Sequence, residues 1–357
     1  MVKLKLFVKV EAIVVFLIRR QFVSVVKKQR VVSGMRSTGS MHLGHYHGVL
    51  KNWIDLQSKY ECFFFAADWH CLTTHYHNVP DLPKIVKDNL IEWIACGLDP
   101  EQSTIFIQSQ VVEHSELHLL LSMITPVSWL ERVPTYKDQQ QKLTQYDLST
   151  YGFLGYPLLQ TADVLIYKAN YIPVGEDQVP HIEFSREVAR RFNYIYGKGE
   201  AVLPEPAVLL TKFPKVPGLD GQKMSKSYNN FINLREDLSV VADKIKKMLT
   251  DPARQRRTDP GTPEKCPVWG LHKIYSDEST KNWVQEGCTG AKIGCIECKQ
   301  PVINAITKEL TPIQDKIASL EKDPEYIKKV VQRGTEKARE VARVTLKEVR
   351  AAIGLDY

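Results

Sequence analysis

The chain has 357 residues, 43% of them hydrophobic and 25% charged, enough to bury a sizeable core and divide into two globular units rather than a disordered or membrane-embedded chain. Its formal charge of +7 invites a nucleic-acid reading, but residues 1–30 alone carry eight Lys or Arg against one Glu, leaving 40 basic and 40 acidic groups beyond them. Residues 31–222 hold 15 basic against 21 acidic groups and residues 223–357 hold 25 against 19, so contact with a phosphate backbone is expected in the C-terminal part.

Residues 1–30 combine a basic start with an apolar run from Ala12 to Ile18, closed by Arg19 and Arg20. That run is far short of the roughly 20 residues a membrane span needs, and it lacks the cleavage site of a secretory signal. We read the segment as a flexible extension or a misassigned start, with Val26 as the alternative first residue. Gln29 to Ser33 is a short apolar run ending in Gly34; the segment from Ser37 through Gly48 is rich in Gly and His, and Val49 to Tyr60 is amphipathic. This order predicts strand, tight loop, helix. Cys62 to Ala67 is almost wholly apolar, as a parallel strand covered on both faces should be, and ends at Asp68-Trp69-His70. Helical periodicity runs from Leu82 to Cys96 and is stopped by Gly97 and Pro100. Thr104 to Gln108, Asp163 to Tyr167 and Tyr171 to Val174 are further strand-like runs, and Glu183 to Phe192 returns to helix.

Strands alternating with helices predict an α/β fold, a Rossmann-like doubly wound parallel sheet over residues 31–220 with a helical insertion at about 111–150. Past Pro217 the pattern changes, and from Leu234 it is mostly helical, predicting an all-helical domain over residues 229–357. In the last helix, about Thr335 to Ala352, Ala338, Val341, Ala342, Thr345 and Val349 share one side while Arg339, Arg343, Lys347 and Arg350 line another, which reads as a solvated face.

Two short motifs carry chemistry. His42-Leu43-Gly44-His45 falls at the first strand-to-helix turn, where a glycine lets a flat ring approach the backbone and two imidazoles beside a helix N-terminus can donate to a transferring phosphate. Alone it is a weak signal, since His42, His45 and His47 fit a metal cluster or surface histidines equally well. The second, Lys223-Met224-Ser225-Lys226-Ser227 within the loop 221–228, places two lysines three residues apart where they can follow separating phosphates. A solvated basic loop is the alternative, and the pairing of the two motifs argues against it.

With both motifs in view, the sequence resembles the class I aminoacyl-tRNA synthetases, whose hallmarks are read as HIGH and KMSKS, over about residues 31–357. The resemblance implies that His42 and His45 contact phosphate, that Gly44 underlies the adenine, and that Lys223 and Lys226 hold the leaving pyrophosphate. Lys137 stands where related enzymes supply another phosphate-contacting lysine, and an exposed structural lysine is an equal reading. It also places Gly34 and Val174 at the substrate and Arg36, Met224, Ser225 and Ser227 at ATP. ATP with Mg²⁺, tRNA, a cytoplasmic homodimer and no membrane are the accompanying expectations.

Tyr156-Pro157-Leu158-Leu159-Gln160-Thr161-Ala162-Asp163 sets a phenol, an amide and a carboxylate on a helix at spacings four and three. Asp163 can accept from an indole N–H or a phenol O–H, which narrows the resemblance to the tryptophanyl and tyrosyl synthetases. Three features resemble the tryptophanyl family. Val32 stands where tyrosyl enzymes commonly carry a Tyr that shares the substrate hydroxyl, and a buried O–H left without that partner costs about 1 to 3 kcal/mol. Gly175-Glu176-Asp177-Gln178 resembles the tryptophanyl loop, implying Asp177 on the ribose and Gln178 on the substrate amino group. His70, after the second strand, then lines the pocket, and the partners are L-tryptophan and tRNA(Trp). Two departures are Gln160, where many relatives have Met, and Ser37 in place of the usual Pro of the Arg-Pro-Thr-Gly loop. The remaining rivals are a tyrosyl synthetase, a synthetase-like RNA-binding protein without catalysis, and a nucleotidyltransferase that shares the first turn.

Of seven cysteines, Cys62, Cys71 and Cys96 read as buried or incidental thiols. Cys266, Cys288, Cys295 and Cys298 follow a C-x21-C-x6-C-x2-C pattern, four thiolates that can bind zinc or a [4Fe–4S] cluster, which spacing alone does not separate. Some bacterial tryptophanyl enzymes resemble this pattern closely and carry an iron–sulfur cluster near the anticodon-binding region, which favours [4Fe–4S] with zinc as the alternative.

Overall fold

A computed structural model describes residues 28–77, 81–134, 136–137, 147–210 and 216–357. The reading of residues 1–30 therefore lies almost wholly outside the described residues, as do residues 135 and 138–146 of the expected insertion.

Five parallel strands, β1 (Arg30–Met35), β2 (Glu61–Ala66), β3 (Ser103–Ile107), β4 (Tyr171–Val174) and β5 (Ala207–Leu210), lie in the order β3-β2-β1-β4-β5. The order reverses between β1 and β4, and in such a sheet ligands bind in the crevice at the carboxyl ends of those strands. The two-residue period of β2 explains its apolar run, because Cys62 and Phe64 enter one core cluster while Phe63 and Phe65 enter the other, on opposite faces of the sheet.

Helices cover both faces. After β1 come α1 (Leu43–His45), a π-helical stretch Tyr46–Leu50 and α2 (Lys51–Gln57), so the helix expected from Val49 begins six residues earlier, at the signature turn itself. Next are α3 (Asp68–His75), α4 (Leu82–Ala95), α5 (Glu113–Ser122), α6 (Val127–Glu131), α7 (Tyr151–Leu154), α8 (Tyr156–Leu165) and α9 (Val179–Tyr196). The run Asp163 to Tyr167 is not a strand. Asp163 to Leu165 complete α8, every residue from Thr161 to Tyr167 is buried, and a short apolar run buried all round has no period by which to tell strand from helix. Beyond the sheet follow α10 (Leu238–Lys247), α11 (Pro267–Tyr275), α12 (Glu278–Thr289), α13 (Cys295–Glu321) and α14 (Pro324–Ile353).

α14 crosses the β3 side of the sheet. Its Ile327, Val330 and Val331 join one core cluster and its Ala338, Ala342, Leu346 and Val349 the other. At the crossing Gly334 lies against the strand backbone, where a Cβ would sit 1.8 Å from the Ile105 carbonyl oxygen, so only glycine permits the approach. The basic stripe is exposed at Arg343, Lys347 and Arg350, as expected of a solvated face, yet its arginines are also paired. Arg339 Nε and Arg343 Nε donate to Glu113 at 3.0 Å, and Arg350 donates twice to Glu116 at 2.6 Å, both carboxylates lying on α5. A helical wheel shows which residues share a side, not which neighbour that side meets.

Two buried polar clusters join the helices after the sheet to the sheet domain. Glu92 on α4, wholly buried, accepts from Arg235 Nε at 2.6 Å, Asn89 Nδ2 at 3.2 Å and the Met41 amide at 3.2 Å. Glu309 on α13 accepts from Lys51 Nζ at 2.8 Å and the Tyr275 hydroxyl at 2.9 Å, and its other contact is His47 Nε2 at 2.9 Å. Burial raises the Glu309 carboxyl, but His47 and Lys51 outweigh it and bring it down to about 2.

Candidate active site

The signature turn is pinned by backbone. Leu43 N–H donates to Ile232 O and Leu234 N–H to Met41 O, each at 3.0 Å, so the segment after the lysine loop is laced to the turn that begins α1. His42 takes the N-cap position with an extended backbone, and its ring stacks on His45 with centroids 3.7 Å apart. A side chain at Gly44 would meet the His42 ring at 2.9 Å, which keeps that position bare. Burial, then Lys226 and Lys223, bring His42 down to about 4, and burial then His42 and Lys226 bring His45 well below its usual value. Both imidazoles are therefore neutral at pH 7, each with one N–H to give, and His42 Nδ1 is buried without a partner. His47 is turned away, buried between Tyr275 and Glu309, so it belongs neither to a metal cluster with the other two nor to the surface.

The lysine loop folds over this turn. Lys223 pairs in an isolated bridge with Pro217, Met224 N–H donates to Val216 O at 3.1 Å, and Ser225 N–H donates to Asn230 Oδ1 at 2.8 Å. Asn230 Nδ2 in turn reaches Asp220 Oδ1 at 2.6 Å. Met224 is buried beside Gly44, Lys223 is exposed, and Lys226 Nζ lies 3.4 Å from the Cβ position of Gly39. Burial brings Lys226 down to about 8, with Glu92 and Cys71 opposing. Nothing is described of the Ser227 side chain. Arg36 reaches Thr74 Oγ1 at 2.5 Å, and Lys137 stands exposed.

The second group of expected site residues centres on Asp163, a buried carboxylate on α8. Gly34 is the penultimate residue of β1, with Phe65 packed so closely that a Cβ would sit 2.4 Å from the ring, while Val32 is buried in the core with Phe63 and Phe65 and offers only methyl groups. Asp163, 1% exposed, contacts His70 Nε2 at 2.8 Å and His114 Nδ1 at 2.6 Å and accepts from Gln108 Nε2 at 2.9 and 3.0 Å. Burial raises its carboxyl, but His114 and His70 outweigh that and hold it well below the usual carboxylate range. Tyr156 is buried with its ring 5.8 Å from that of His181; Gln160, Val174 and Gln178 are half-buried, and Asp177 is exposed with Gln178 Nε2 on its Oδ2 at 3.1 Å. Gln108, His114 and Glu92 escaped the sequence reading. For Gln108 a signal existed, since it directly follows a buried parallel strand, where sites on such sheets lie; His114 and Glu92 sit inside helices and nothing local marks them.

The four C-terminal cysteines gather from three helices. Cys266 precedes α11, Cys288 is in the last turn of α12, and Cys295 and Cys298 are in the first turn of α13. Arg254 Nη1 reaches Cys288 Sγ at 3.6 Å, and its Nε is buried without a partner. Cys298 is pushed up to about 12 by burial and then by Cys266, Cys288 and Cys295, so the four lie in electrostatic reach of one another. Among the described residues no three His, Cys, Asp or Glu side chains converge closely enough to hold a metal ion as they stand.

Residues 26–311 match the family model described as tRNA synthetases class I (W and Y). The chain is 54% identical to a tryptophan–tRNA ligase of Thermotoga maritima, covering 92% of this chain and all of that one, and 51% identical to one from Ralstonia nicotianae, covering 92% and 99%. Among solved structures it resembles the Campylobacter jejuni tryptophanyl-tRNA synthetase complexed with ADP and tryptophan, with a TM-score of 0.82, 29% identity, and 92% and 100% of the two chains covered. With the lysine loop packed on the signature turn, and relatives of this likeness over nearly the full length, the chain belongs to the class I aminoacyl-tRNA synthetases, as a tryptophan–tRNA ligase of the bacterial type.

Proposed function

We propose that the residues of this crevice divide the ligase reaction as follows. The observation that carries the division is that two neutral imidazoles, His42 and His45, lie beside Lys223 and Lys226, while Asp163 is held as a buried anion by His70, His114 and Gln108. Asp163 accepts the indole N–H, with Gly34, His70, Tyr156, Gln160 and Val174 around the ring. Gln178 takes the amino group of tryptophan and Asp177 the ribose hydroxyls. The tryptophan carboxylate attacks the α-phosphorus of ATP, the bond to the bridging oxygen breaks, and pyrophosphate leaves; a ribose hydroxyl of the terminal adenosine of tRNA(Trp) then attacks the acyl carbon of the adenylate, forming the ester and releasing AMP. His42 and His45 donate to the crowded α-phosphate, and Lys223 and Lys226 follow the pyrophosphate, so catalysis rests on position and charge and needs no protein nucleophile. Arg36, Gly44, Met224, Ser225 and Ser227 frame the ATP, Lys137 is a further phosphate contact, and Mg²⁺ enters on the ATP phosphates and neutralises part of their charge.

The helices of residues 229–357 are assigned to the anticodon end of tRNA, supported by their excess of basic residues. Cys266, Cys288, Cys295 and Cys298 are assigned to a [4Fe–4S] cluster, with zinc as the alternative. The donor set supports this reading, because Cys298 lies within electrostatic reach of Cys266, Cys288 and Cys295, and a buried guanidinium beside Cys288 suits an anionic thiolate centre. Such a centre would tie α11, α12 and α13 together. A homodimer is supported by exposed Leu119, Met123, Val127, Tyr194 and Ile195, on segments drawn together where Arg191 donates to Ile124 O and lies over Trp129. Among the described residues no helix is long and apolar enough to cross a membrane.

ATP–pyrophosphate exchange should proceed with tryptophan and not with tyrosine, and Asp163→Ala should lose about a hundredfold in kcat/KM for tryptophan, the worth of a bond to a buried charge; exchange unaffected by the substitution would remove Asp163 from the pocket. Lys226, near 8 in the free enzyme, binds phosphate only while protonated. Its contribution is full below that pH and lost above it, so kcat/KM for ATP at saturating tryptophan should fall through about pH 8, and Lys226→Arg should move that limb upward. Anaerobically purified protein should contain iron and acid-labile sulfide, both lost in Cys295→Ser/Cys298→Ser; zinc in their place selects the alternative, and no metal at all sinks both. Sedimentation at micromolar concentration should give twice the chain mass, and a monomer there excludes the dimer.

A further inference from the structure

Asp163 sits in a tighter frame than an acceptor for one ligand N–H requires. Three buried side chains converge on its two oxygens: His114 Nδ1 on Oδ1 at 2.6 Å, His70 Nε2 on Oδ2 at 2.8 Å, and Gln108 Nε2 across both. Gln108 donates to the carboxylate although its own Oε1 is left buried without a partner, which fixes its orientation, since the flipped amide would set oxygen against oxygen. Behind His114, whose side chain is wholly buried, Tyr167 OH lies 2.6 Å from Nε2. Burial, with Asp163 and Glu113, raises the Tyr167 phenol well above its usual value, so it stays protonated and donates. One tautomer satisfies the chain: Tyr167 O–H donates to His114 Nε2, and His114 Nδ1–H donates to Asp163 Oδ1. Of the three, His70 is the most open at 8% exposed, while Gln108 and His114 are fully enclosed.

We propose that His114, backed by Tyr167, is a positioning residue of the tryptophan pocket: it holds Asp163 by Oδ1 and so fixes the orientation of the carboxylate read as the indole acceptor, and thereby sets the preference for a ring that carries an N–H over one that does not. This rests on the reading of Asp163 as the indole acceptor. His114 touches no substrate. It acts by removing the rotational freedom of a carboxylate that would otherwise pay for ordering on each binding event.

The test compares L-tryptophan with its benzothiophene isostere, in which sulfur replaces the N–H, by pyrophosphate exchange on the full-length enzyme. In His114→Leu the preference for tryptophan, as the ratio of kcat/KM values, should fall about tenfold, carried by KM with kcat nearly unchanged. His114→Asn, whose side-chain amide can place an N–H near the position of Nδ1, should restore most of it, as a merely space-filling role would not. Should His114→Leu fail to fold, Tyr167→Phe carries the same test, with an expected loss of about threefold. A wild-type preference in these variants, while Asp163→Asn abolishes it, overturns the role of His114. If Asp163→Asn itself keeps the preference, the indole reading of Asp163 has failed, and this inference with it.

Discussion

Everything in the crevice depends on one buried carboxylate. Glu92 is wholly enclosed, and burial raises its carboxyl while Arg235, Met41 N–H and Asn89 oppose. Three segments meet on it: α4, the turn that carries His42, and the stretch after the lysine loop that carries Arg235, which also pairs with Glu321 at the end of α13. Leaving such a group without its partner costs about 3–5 kcal/mol, so the three segments can separate only against that cost. The register of Leu43 on Ile232 and Leu234 on Met41 follows, and with it the distance from the histidine pair to Lys226.

The same desolvation shapes the groups that face the ligands. Two histidines near two lysines are kept neutral by burial and by that positive charge, and so become N–H donors without adding charge of their own. Asp163 is buried more deeply still and remains ionised, because the donors gathered on it outweigh the loss of water. One side of the crevice is thus positive where phosphate is expected and the other negative where an N–H is expected, the polarity that a substrate with an apolar ring and a charged head requires.

The C-terminal helices are coupled to the sheet at more than one place. Glu309 binds Lys51 on α2 and Tyr275 on α11, and α14 closes against β3 at Gly334 while its arginines hold Glu113 and Glu116. Glu113 opens the same helix that places His114 on Asp163, so the arginine stripe of α14 braces the element behind the pocket.

The sequence by itself determined the parallel sheet, through near-continuous apolar runs such as Cys62 to Ala66, and the pairing of His42 with His45, Lys223 with Lys226 and Tyr156 with Asp163 on one turn, loop or helix, because those spacings are local and a turn or helix converts them directly into geometry. Tertiary structure alone decided that Asp163 to Tyr167 is helical, that His47 turns from the signature pair to Glu309, that the α14 arginines are spent on α5, and that Glu92, Gln108 and His114 matter at all. The physical reason is common to them: each depends on a partner far along the chain and on removal from water, and neither distance in space nor desolvation leaves a mark on the residues next to it in sequence.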